Sequence, residues 1–443
     1  MRSNRQRRSL LALFTCVALT AAACGSSNTV TATDPNTSDT APAPATSPNT
    51  EDVVTMFEPT SGARAELADD APIDALAAGF NDAGFDILRS QPDADNVVLS
   101  PVSIGHAVLM ARAAADESTG AAIDAALALP DGVAAHDAWN AIAQMIAAAN
   151  GATTDINQEP SPIISIADRI WPASGITPDQ DWIDLLATHH GADVSTIDVT
   201  QPEASRAEIN EWVSNATEQL IPELLPVGFI EPSTTLVLTD AIYFKAQWQT
   251  IFGKYGTVDG EFTTLDGSAE ATTYMRDLEN SGARGIGDGW VAADLPYRGD
   301  AFSMLVVVPD EGRFQEVRAG LNDTLLHEID AAIEPGPYEL LLPKWEDDSN
   351  IDLLPWLTEI GAAPGNYPSI TPGTFLSGGV HAADVAVDEL GTVAAAATGL
   401  GFAESGPPEP EFTIAADKPF FYMIRHNESG LVLFAGQVTN PNE

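Results

Sequence analysis

Histidine and cysteine supply most of the proton carriers, nucleophiles and metal ligands in proteins, so their spacing shows which chemistry a chain can do. His189 and His190 have no acidic ligand at metal-binding spacing, and the His-Glu pair at His327 lacks a second histidine four residues later. The glycines within residues 282–289 miss a dinucleotide-loop spacing because Trp290 stands where the last glycine is needed. These groups are typical of loops and solvated faces, and no G-x-S-x-G elbow occurs. We predict no catalytic residue, no metal and no cofactor.

A different kind of chemistry is open to residues 389–408, which combine a glycine, a run of small residues and a pair of prolines. Alternate positions from Thr392 onward would share one face of a β-strand, and that face is small at first and apolar later. These positions are Thr392, Ala394, Ala396, Thr398, Leu400 and Phe402. The pattern predicts an exposed loop that can enter a sheet as a strand. An Ala-rich surface helix or a plain linker is the alternative interpretation.

The composition limits what the chain can bind. It has 443 residues, 44% of them hydrophobic, which is enough for a sizeable core in one large domain or up to about three smaller ones. Its 64 acidic and 19 basic residues give a formal net charge of -45 at pH 7. Because so acidic a surface repels nucleic acid and anionic membranes, we exclude both as direct partners of the folded part.

The N-terminus has the pattern of a secretion signal, with a basic start, a short apolar run and small residues before Cys24. We predict a signal peptide over residues 1–23 and, by resemblance to bacterial lipoproteins, a lipid on Cys24 that anchors the chain to the outer face of the cell membrane. Ala21 departs from the larger aliphatic residue that is usual there, so ordinary cleavage and free secretion is the alternative. Residues 24–51 are predicted to be a disordered tether. Since Cys16 is the other cysteine, no disulfide framework is expected.

The remaining chain, residues 52–443, has no comparable low-complexity break and is predicted to be one folded domain. Residues 73–91 have apolar positions at helical spacing. Residues 235–248 are β-branched, aromatic and apolar nearly throughout, which predicts a central strand covered on both faces. Residues 413–424 and 431–438 are predicted to form a hairpin. Helices dominate early and strands dominate late, which predicts an α+β fold.

Six short motifs in this domain resemble, in their order and spacing, those of the serpin family. They are residues 99–104 (LSPVSI), 209–213 (INEWV), 240–245 (DAIYFK), 295–300 (LPYRGD), 342–344 (LPK) and the C-terminal segment 417–441. Each motif alone is weak, but together they extend the resemblance over residues 70–441. The resemblance implies a single α+β domain with three β-sheets, eight or nine helices and an exposed reactive-centre loop, which is the stretch 389–408.

The resemblance also implies a function. A target serine protease would cleave the loop and form an acyl-enzyme, and insertion of the cut loop into the central sheet would trap the protease in a covalent complex. A cysteine protease, which also forms an acyl-enzyme, is the second kind of target. Such an inhibitor is not an enzyme, and a monomer is expected. A non-inhibitory surface protein that keeps the fold and binds a ligand or partner is the alternative.

The hinge of the loop favours inhibition, because the first residues to enter a sheet must be small and uncharged. By the resemblance, the hinge comprises Glu389, Gly391, Thr392, Ala394, Ala395, Ala396, Ala397 and Thr398. Gly391 is expected to be a flexible pivot. Leu390 and Val393 depart from the polar residues usual at their positions, and Val393 is expected to face outward.

The reactive bond follows from counting along the loop from Gly391, as in inhibitory relatives. The count places it at Ser405–Gly406, with Glu404–Ser405 as the next choice. A small residue at the cut suits an elastase-like or subtilisin-like serine protease, whereas recognition of Glu404 would suit a Glu-specific one. Residues 389–410 contain no Lys or Arg, which argues against a trypsin-like protease.

Further residues match positions that the family uses to control the opening of the sheet. A polar cluster beneath the sheet would comprise Ser100, Ser103, Asp240 and His381. Since Asp240 stands where Asn is usual, we expect an Asp240–His381 pair that raises the pKa of His381 and makes opening pH-dependent. A satisfied buried histidine is the alternative. Lys344 and Glu389 match an ion pair at the top of the sheet, worth under about 1 kcal/mol if partly exposed.

Overall fold

The structure, a computed structural model, describes residues 63–253, 256–280, 283–392 and 412–443, and for residues 278–280 the backbone alone. The described α-helices are α1 (Ile73–Ser90), α2 (Pro101–Arg112), α3 (Glu117–Ala126), α4 (Ala134–Ala149), α5 (Gln180–Leu185), α6 (Pro202–Ala216), α7 (Phe314–Gly320), α8 (Asp323–Ala332) and α9 (Leu354–Glu359). A π-helical turn, Leu186–His190, follows α5 directly. No helix among the described residues has the length and apolar character needed to cross a bilayer. The predicted signal peptide, Cys24 and the tether lie outside the described residues.

The described strands are β1 (Val97–Leu99), β2 (Thr153–Thr154), β3 (Pro160–Ser161), β4 (Ile163–Pro172), β5 (Asp193–Val194), β6 (Leu236–Gln247), β7 (Val258–Thr263), β8 (Ala269–Asn280), β9 (Ala283–Gly287), β10 (Trp290–Pro296), β11 (Phe302–Pro309), β12 (Glu334–Pro335), β13 (Tyr338–Pro343), β14 (Trp345–Asp352), β15 (Val380–Val387), β16 (Gly391–Thr392), β17 (Thr413–Ala415), β18 (Phe420–His426) and β19 (Val432–Val438). They form a seven-stranded sheet (β1-β19-β18-β11-β10-β9-β12), a four-stranded sheet (β17-β13-β8-β7), a six-stranded sheet (β14-β15-β16-β6-β4-β5) and the small ladder β2-β3. The mixture of helices and sheets confirms the predicted α+β class.

Helix α2 contacts strands of two sheets, β6 of the six-stranded sheet and β19 of the seven-stranded sheet. It starts where it does because Ser100 caps its N-terminus, its hydroxyl accepting a hydrogen bond from the Ser103 backbone N–H at 3.2 Å. Pro101 follows as the first helical residue, where a missing N–H costs nothing. Most of its residues are buried, which is the pattern of a helix covered on nearly every side.

The seven-stranded sheet supplies much of the main core. All eight residues of β11 are buried, and β18 and β19 are buried almost throughout. Such continuous burial requires both faces of a sheet to be covered, which explains the unbroken apolar runs in these strands.

The predicted C-terminal hairpin forms, but its first strand begins later than expected. Strands β18 and β19 pair antiparallel, whereas Thr413–Ala415 forms β17 and pairs with β13 in a different sheet. Pro419 stands at the break between β17 and β18, and a proline has no N–H to donate to a continuing ladder.

The predicted central strand 235–248 is β6, Leu236–Gln247, and it has cores on both faces as expected. Ile242 and Phe244 belong to the main core, whereas Val237 and Ala241 pack in a second cluster with residues of α6. Side chains of a strand alternate between faces, so even-numbered residues of β6 point toward α2 and the seven-stranded sheet. This orientation decides which residues lie beneath the six-stranded sheet.

Candidate functional site

Near the start of the loop, Gly391 and Thr392 form the short strand β16 of the six-stranded sheet, between β15 and β6. Gly391 pairs with Gln247 and Thr392 with Ala246 on one side, while Val387 pairs with Thr392 on the other. A Cβ on Gly391 would lie 2.0 Å from the carbonyl oxygen of Ala246. Close packing therefore requires glycine at this position, a reason different from the flexible pivot expected from the sequence.

Aromatic side chains hold this segment in place. The Thr392 hydroxyl lies 2.5 Å from the hydroxyl of Tyr297, and both residues are buried. Tyr297 stacks on Trp248 with 4.5 Å between ring centroids. The Trp248 indole donates a hydrogen bond to the carbonyl of Asp388 at 3.0 Å, and its backbone N–H donates to the carbonyl of Leu390 at 2.8 Å. Hydrogen bonds to backbone carbonyl groups at the base of the loop therefore hold it next to the end of β6.

The two residues expected as an ion pair lie together at the base of the loop. Lys344 Nζ is 2.6 Å from a carboxylate oxygen of Glu389. The side chains are 46% and 25% exposed, so water screens their attraction and the pair is worth about 0–1 kcal/mol.

Beyond Thr392 the facing edges of β6 and β15 have no ladder between them among the described residues. β6 pairs with β4 from Leu236 to Lys245, and its other edge pairs only with β16, at Ala246 and Gln247. β15 pairs with β14 along its whole length and with β16 at Val387. We call these two edges, residues 236–245 of β6 and 380–386 of β15, the open edges, because no described residue pairs with them there.

The rest of the predicted hinge and the predicted reactive bond lie outside the described residues, which stop at Thr392 and resume at Phe412. The residues concerned are Ala394, Ala395, Ala396, Ala397, Thr398, Glu404, Ser405 and Gly406. Their assignments stay predictions.

The start of α2 contacts the β15 side of the open edges. His381 Nε2 accepts a hydrogen bond from the backbone N–H of Ser100 at 2.9 Å, so a neutral ring carries its proton on Nδ1. The hydroxyls of Ser100 and Ser103 lie 3.1 Å apart. Three of the four residues predicted as a polar cluster are therefore brought together.

The fourth member, Asp240, is not in that group, and the expected Asp240–His381 pair is not formed. Asp240 hydrogen-bonds His106 instead, from the other open edge. The expected rise in the pKa of His381 is also wrong, because burial without a charged partner lowers that pKa to about 4. The alternative interpretation of His381, a satisfied buried histidine, agrees with the structure.

Beneath the β6 side lies a buried polar network that the sequence analysis missed. His106 Nδ1 is 2.5 Å from Asp240 Oδ2 and 3.2 Å from Asp168 Oδ1, and these aspartates are directly opposite each other on β6 and β4. His106 Nε2 is 2.7 Å from His190 Nδ1, and His190 Nε2 is 2.8 Å from His136 Nδ1. The expectation that His190 belongs to a loop or solvated face is therefore wrong, since it is 4% exposed.

One arrangement of protons satisfies the three hydrogen bonds that link Asp240, His106, His190 and His136. Burial by itself lowers the pKa of His106, but the charges of Asp168 and Asp240 outweigh it and raise the pKa to about 9. Burial and the Asp168 charge raise the pKa of Asp240. Burial and neighbouring histidines lower the pKa of His190 well below its ordinary value, and that of His136 to about 4. A charged His106 thus donates to Asp240 and to His190, and neutral His190 donates to His136.

A signal for this network exists in the sequence. Asp168 and Asp240 interrupt strands that are otherwise rich in apolar and β-branched residues, and His106 lies in an apolar helix. A charged residue in such a setting is rarely buried without a partner. Among the described residues, His106, Asp168 and Asp240 are also a group whose donor atoms, all within 4.8 Å of one another, could hold a metal ion.

Comparison with known sequences identifies similar proteins over most of the chain. A family model described as "Serpin (serine protease inhibitor)" matches residues 78–441. A leukocyte elastase inhibitor from Equus caballus is 30% identical over 379 residues, which cover 80% of this chain and 97% of that protein. An uncharacterized serpin-like protein from Methanosarcina acetivorans is 32% identical over 292 residues, 63% of this chain and 67% of that protein.

Solved structures share the fold. The thermophilic serpin tengpin in its native state superimposes with a TM-score of 0.73 at 22% identity, covering 86% of this chain and 97% of that one. A complex of thyroxine-binding globulin with thyroxine gives a TM-score of 0.70 at 22% identity, covering 83% of this chain and all of that one. At this level of identity the likeness shows the fold alone.

Proposed function

The chain belongs to the serpin family, and we propose that it irreversibly inhibits an extracellular serine protease, its cleaved loop inserting between β15 and β6. The observation that supports this proposal is the pairing of the six-stranded sheet. β16 already begins a strand between β15 and β6, and the open edges continue beyond it.

The register of β16 predicts how far the insertion would extend. β16 is antiparallel to β6, with Gly391 opposite Gln247. Continued in the same register, the loop would pair along β6 until residue 402 stands opposite Leu236, the first residue of the strand. Residues 394, 396, 398, 400 and 402 would then share the inward face with Thr392, which is the face predicted to be small and then apolar.

The energy gained by this insertion is large compared with ordinary protein stability. About ten new ladder residues would each contribute roughly 1 kcal/mol net from hydrogen bonding. Burial of Leu400 and Phe402 would add roughly 1.5–3 kcal/mol each. A gain of that size can drive displacement of the attached protease before water hydrolyses its acyl-enzyme.

We further propose Ser405–Gly406 as the bond cut, with an elastase-like or subtilisin-like serine protease as the target. The similarity to leukocyte elastase inhibitors supports an elastase-like target, and a small residue at the cut suits such a protease. Cleavage at Glu404–Ser405 by a Glu-specific protease is the second choice, and a cysteine protease is a further kind of target. Lipid attachment at Cys24 and export belong to the same proposal.

The second candidate function is binding without inhibition. Thyroxine-binding globulin has the same fold and is solved with thyroxine bound, so the fold alone does not establish inhibition. In a protein of that kind the loop would be cleaved without trapping the protease.

The two candidates are distinguished by incubation with elastase or subtilisin followed by denaturing gel electrophoresis. We expect a covalent complex that survives boiling and that is absent when the protease serine is first blocked. Mass spectrometry of the released C-terminal fragment identifies the bond. Cleavage without any covalent complex, across a panel of serine and cysteine proteases, would support binding without inhibition.

A matched pair of loop variants tests the insertion itself. Thr392→Arg places a charge on the buried inward face beside Tyr297. In the proposed register, Val393→Arg would place the same charge on the outward face. We expect the first variant to reduce the covalent fraction at least tenfold, with more cleaved inhibitor, and the second to form nearly as much complex as wild type. Equal trapping by both would contradict insertion in this register.

A further inference from the structure

The cluster of His106, Asp168 and Asp240 has the features of a built site. The two carboxylate side chains are 5% and 2% exposed, and the imidazole is fully buried. Asp240 Oδ1 is buried without a hydrogen-bond partner, and Asp168 Oδ1, also buried, has no hydrogen bond beyond its 3.2 Å charge contact with His106 Nδ1. A buried carboxylate oxygen without a donor is costly, because it has lost its water and gained nothing in return.

The three donor atoms come from three separate elements. His106 is on α2, Asp168 on β4 and Asp240 on β6, and their nitrogen and oxygen atoms lie within 4.8 Å of one another. Asp168 and Asp240 are cross-strand partners, so their side chains share a face and converge on the same point. The geometry is that of a three-ligand site with one imidazole nitrogen and two carboxylate oxygens.

Neighbouring groups hold the imidazole in the orientation that a metal ligand requires. His106 Nε2 points at His190 Nδ1, 2.7 Å away, which leaves Nδ1 facing the two carboxylates. Trp139 stacks on the His106 ring with 3.7 Å between centroids. Metal-ligating histidines generally have their second ring nitrogen engaged in this way, because the outer hydrogen bond selects the tautomer and fixes the ring plane.

The charges of the cluster also favour a dication. A neutral imidazole and two carboxylates would together neutralise the charge of a divalent ion. Arg64 acts on Asp168 from a distance, and the described structure has no ion pair between them. Two carboxylates held side by side in the interior repel each other, so a dication between them would be favourably placed.

We propose that His106, Asp168 and Asp240 bind one divalent transition-metal ion, of which Zn²⁺ is the representative. A mixed nitrogen and oxygen donor set suits Zn²⁺, Co²⁺ and Mn²⁺ better than Ca²⁺ or Mg²⁺, which prefer oxygen ligands alone. The ion would join α2 to β4 and β6 next to one open edge. This site is independent of the proposed protease inhibition.

Equilibrium dialysis of the full chain against Zn²⁺, followed by elemental analysis, tests the proposal. Because the site is buried, the chain is dialysed both as purified and after refolding from urea in the presence of Zn²⁺. We expect about one equivalent of bound Zn²⁺ and a higher melting temperature. We also expect Co²⁺ to bind with visible absorption bands. Failure to bind about one equivalent under both conditions would overturn the proposal.

Variants locate the ion. The isosteric double variant Asp168→Asn with Asp240→Asn should weaken binding at least tenfold. The matched control, Asp348→Asn with Asp384→Asn, removes the same charge from a cross-strand acidic pair of the same sheet and should bind as wild type. Unchanged affinity in the first variant would overturn the proposal. If that variant fails to fold, single Asp240→Asn decides, because loss of one carboxylate ligand should weaken Zn²⁺ binding and change the Co²⁺ absorption bands, and unchanged affinity and bands would overturn the proposal.

Discussion

The two open edges contact the same helix, α2, one through a neutral hydrogen bond and the other through a charged pair. On the β15 side, neutral His381 accepts one hydrogen bond from the backbone of Ser100, at the start of α2. On the β6 side, His106, further along the same helix, pairs with Asp240 and neighbours Asp168. Helix α2 therefore links both strands between which the loop is proposed to insert.

This difference predicts which of the two contacts breaks if the cleaved loop inserts between β15 and β6. A neutral hydrogen bond contributes about 0.5–1.5 kcal/mol net and can re-form with another partner. Separation of a buried ion pair leaves unpaired charges and costs about 3–5 kcal/mol. We therefore expect β6 to stay with α2 while the His381 contact changes.

The largest effect is expected from removal of the charged contact. Asp240→Ala should lower the free energy of unfolding by about 3–5 kcal/mol, because His106 loses its nearest carboxylate. The midpoint of the first unfolding transition in urea measures the change. Asp384→Ala is the control, because burial and then the neighbouring like charges already raise the pKa of that half-buried carboxyl to about 6, and its loss relieves repulsion. A smaller loss in Asp240→Ala than in the control would contradict the contrast.

The two sides should respond to pH in opposite directions. The pKa of His381 is about 4 in the folded chain and near 6.5 when unfolded, so between these values the unfolded chain binds more protons. Stability from this side is present above pH 6.5 and falls, by up to about 3 kcal/mol, as the pH drops to 4. The contribution of His106 is present below pH 6.5 and is lost as the pH rises through about 9.

Denaturation measured from pH 4 to pH 9.5 checks both directions against variants. His381→Phe should remove part of the acid-side loss, and His106→Phe should remove the alkaline-side loss. Asp347, whose pKa burial raises to about 7, acts in the opposite sense to His381, so the difference between wild type and variant is needed to isolate His381. For His106 the difference measures the His106–Asp240 pair, because the His106 charge also lowers the pKa of Asp240. A difference that does not vary with pH for either histidine would contradict the assigned protonation states.

A smaller effect is expected from loss of the neutral contact at neutral pH. His381→Phe keeps a ring of similar size but leaves the backbone N–H of Ser100 without an acceptor, which should cost about 1–3 kcal/mol. Thermal denaturation at pH 7.5 measures it. Ser103→Ala, which keeps the His381 contact, is the comparison variant and should cost less.

The smallest effect is expected at the base of the loop. Lys344→Ala should change the free energy of unfolding by less than about 1 kcal/mol, because both side chains of the Lys344–Glu389 pair are partly exposed. Lys418→Ala, which removes a surface pair with Asp417, is the matched control. A loss above about 2 kcal/mol in urea denaturation would show that this pair stabilises the fold more than a partly exposed ion pair is expected to.

Much of the fold was predictable from the sequence because its signals are local. The apolar run that forms β6 and the helical spacing of residues 73–91 are properties of consecutive residues, and the order of short motifs indicated the family. The small, alternating residues of the loop are a local pattern too. The motifs also predicted that Lys344 lies beside Glu389 and that Ser100, Ser103 and His381 lie together, and the structure has both contacts.

The partner of Asp240 was decided by tertiary structure. The motifs placed Asp240 with His381, but β6 turns that carboxylate toward α2, where His106 is 134 positions away in the chain. His190 and His136, which continue the network, come from two other helical segments. Local sequence determines that a charged side chain is buried, because a strand of apolar residues surrounds it. Which charge it meets depends on how β6, β4 and α2 pack, since desolvated charges must be satisfied by whatever groups the packing brings within reach.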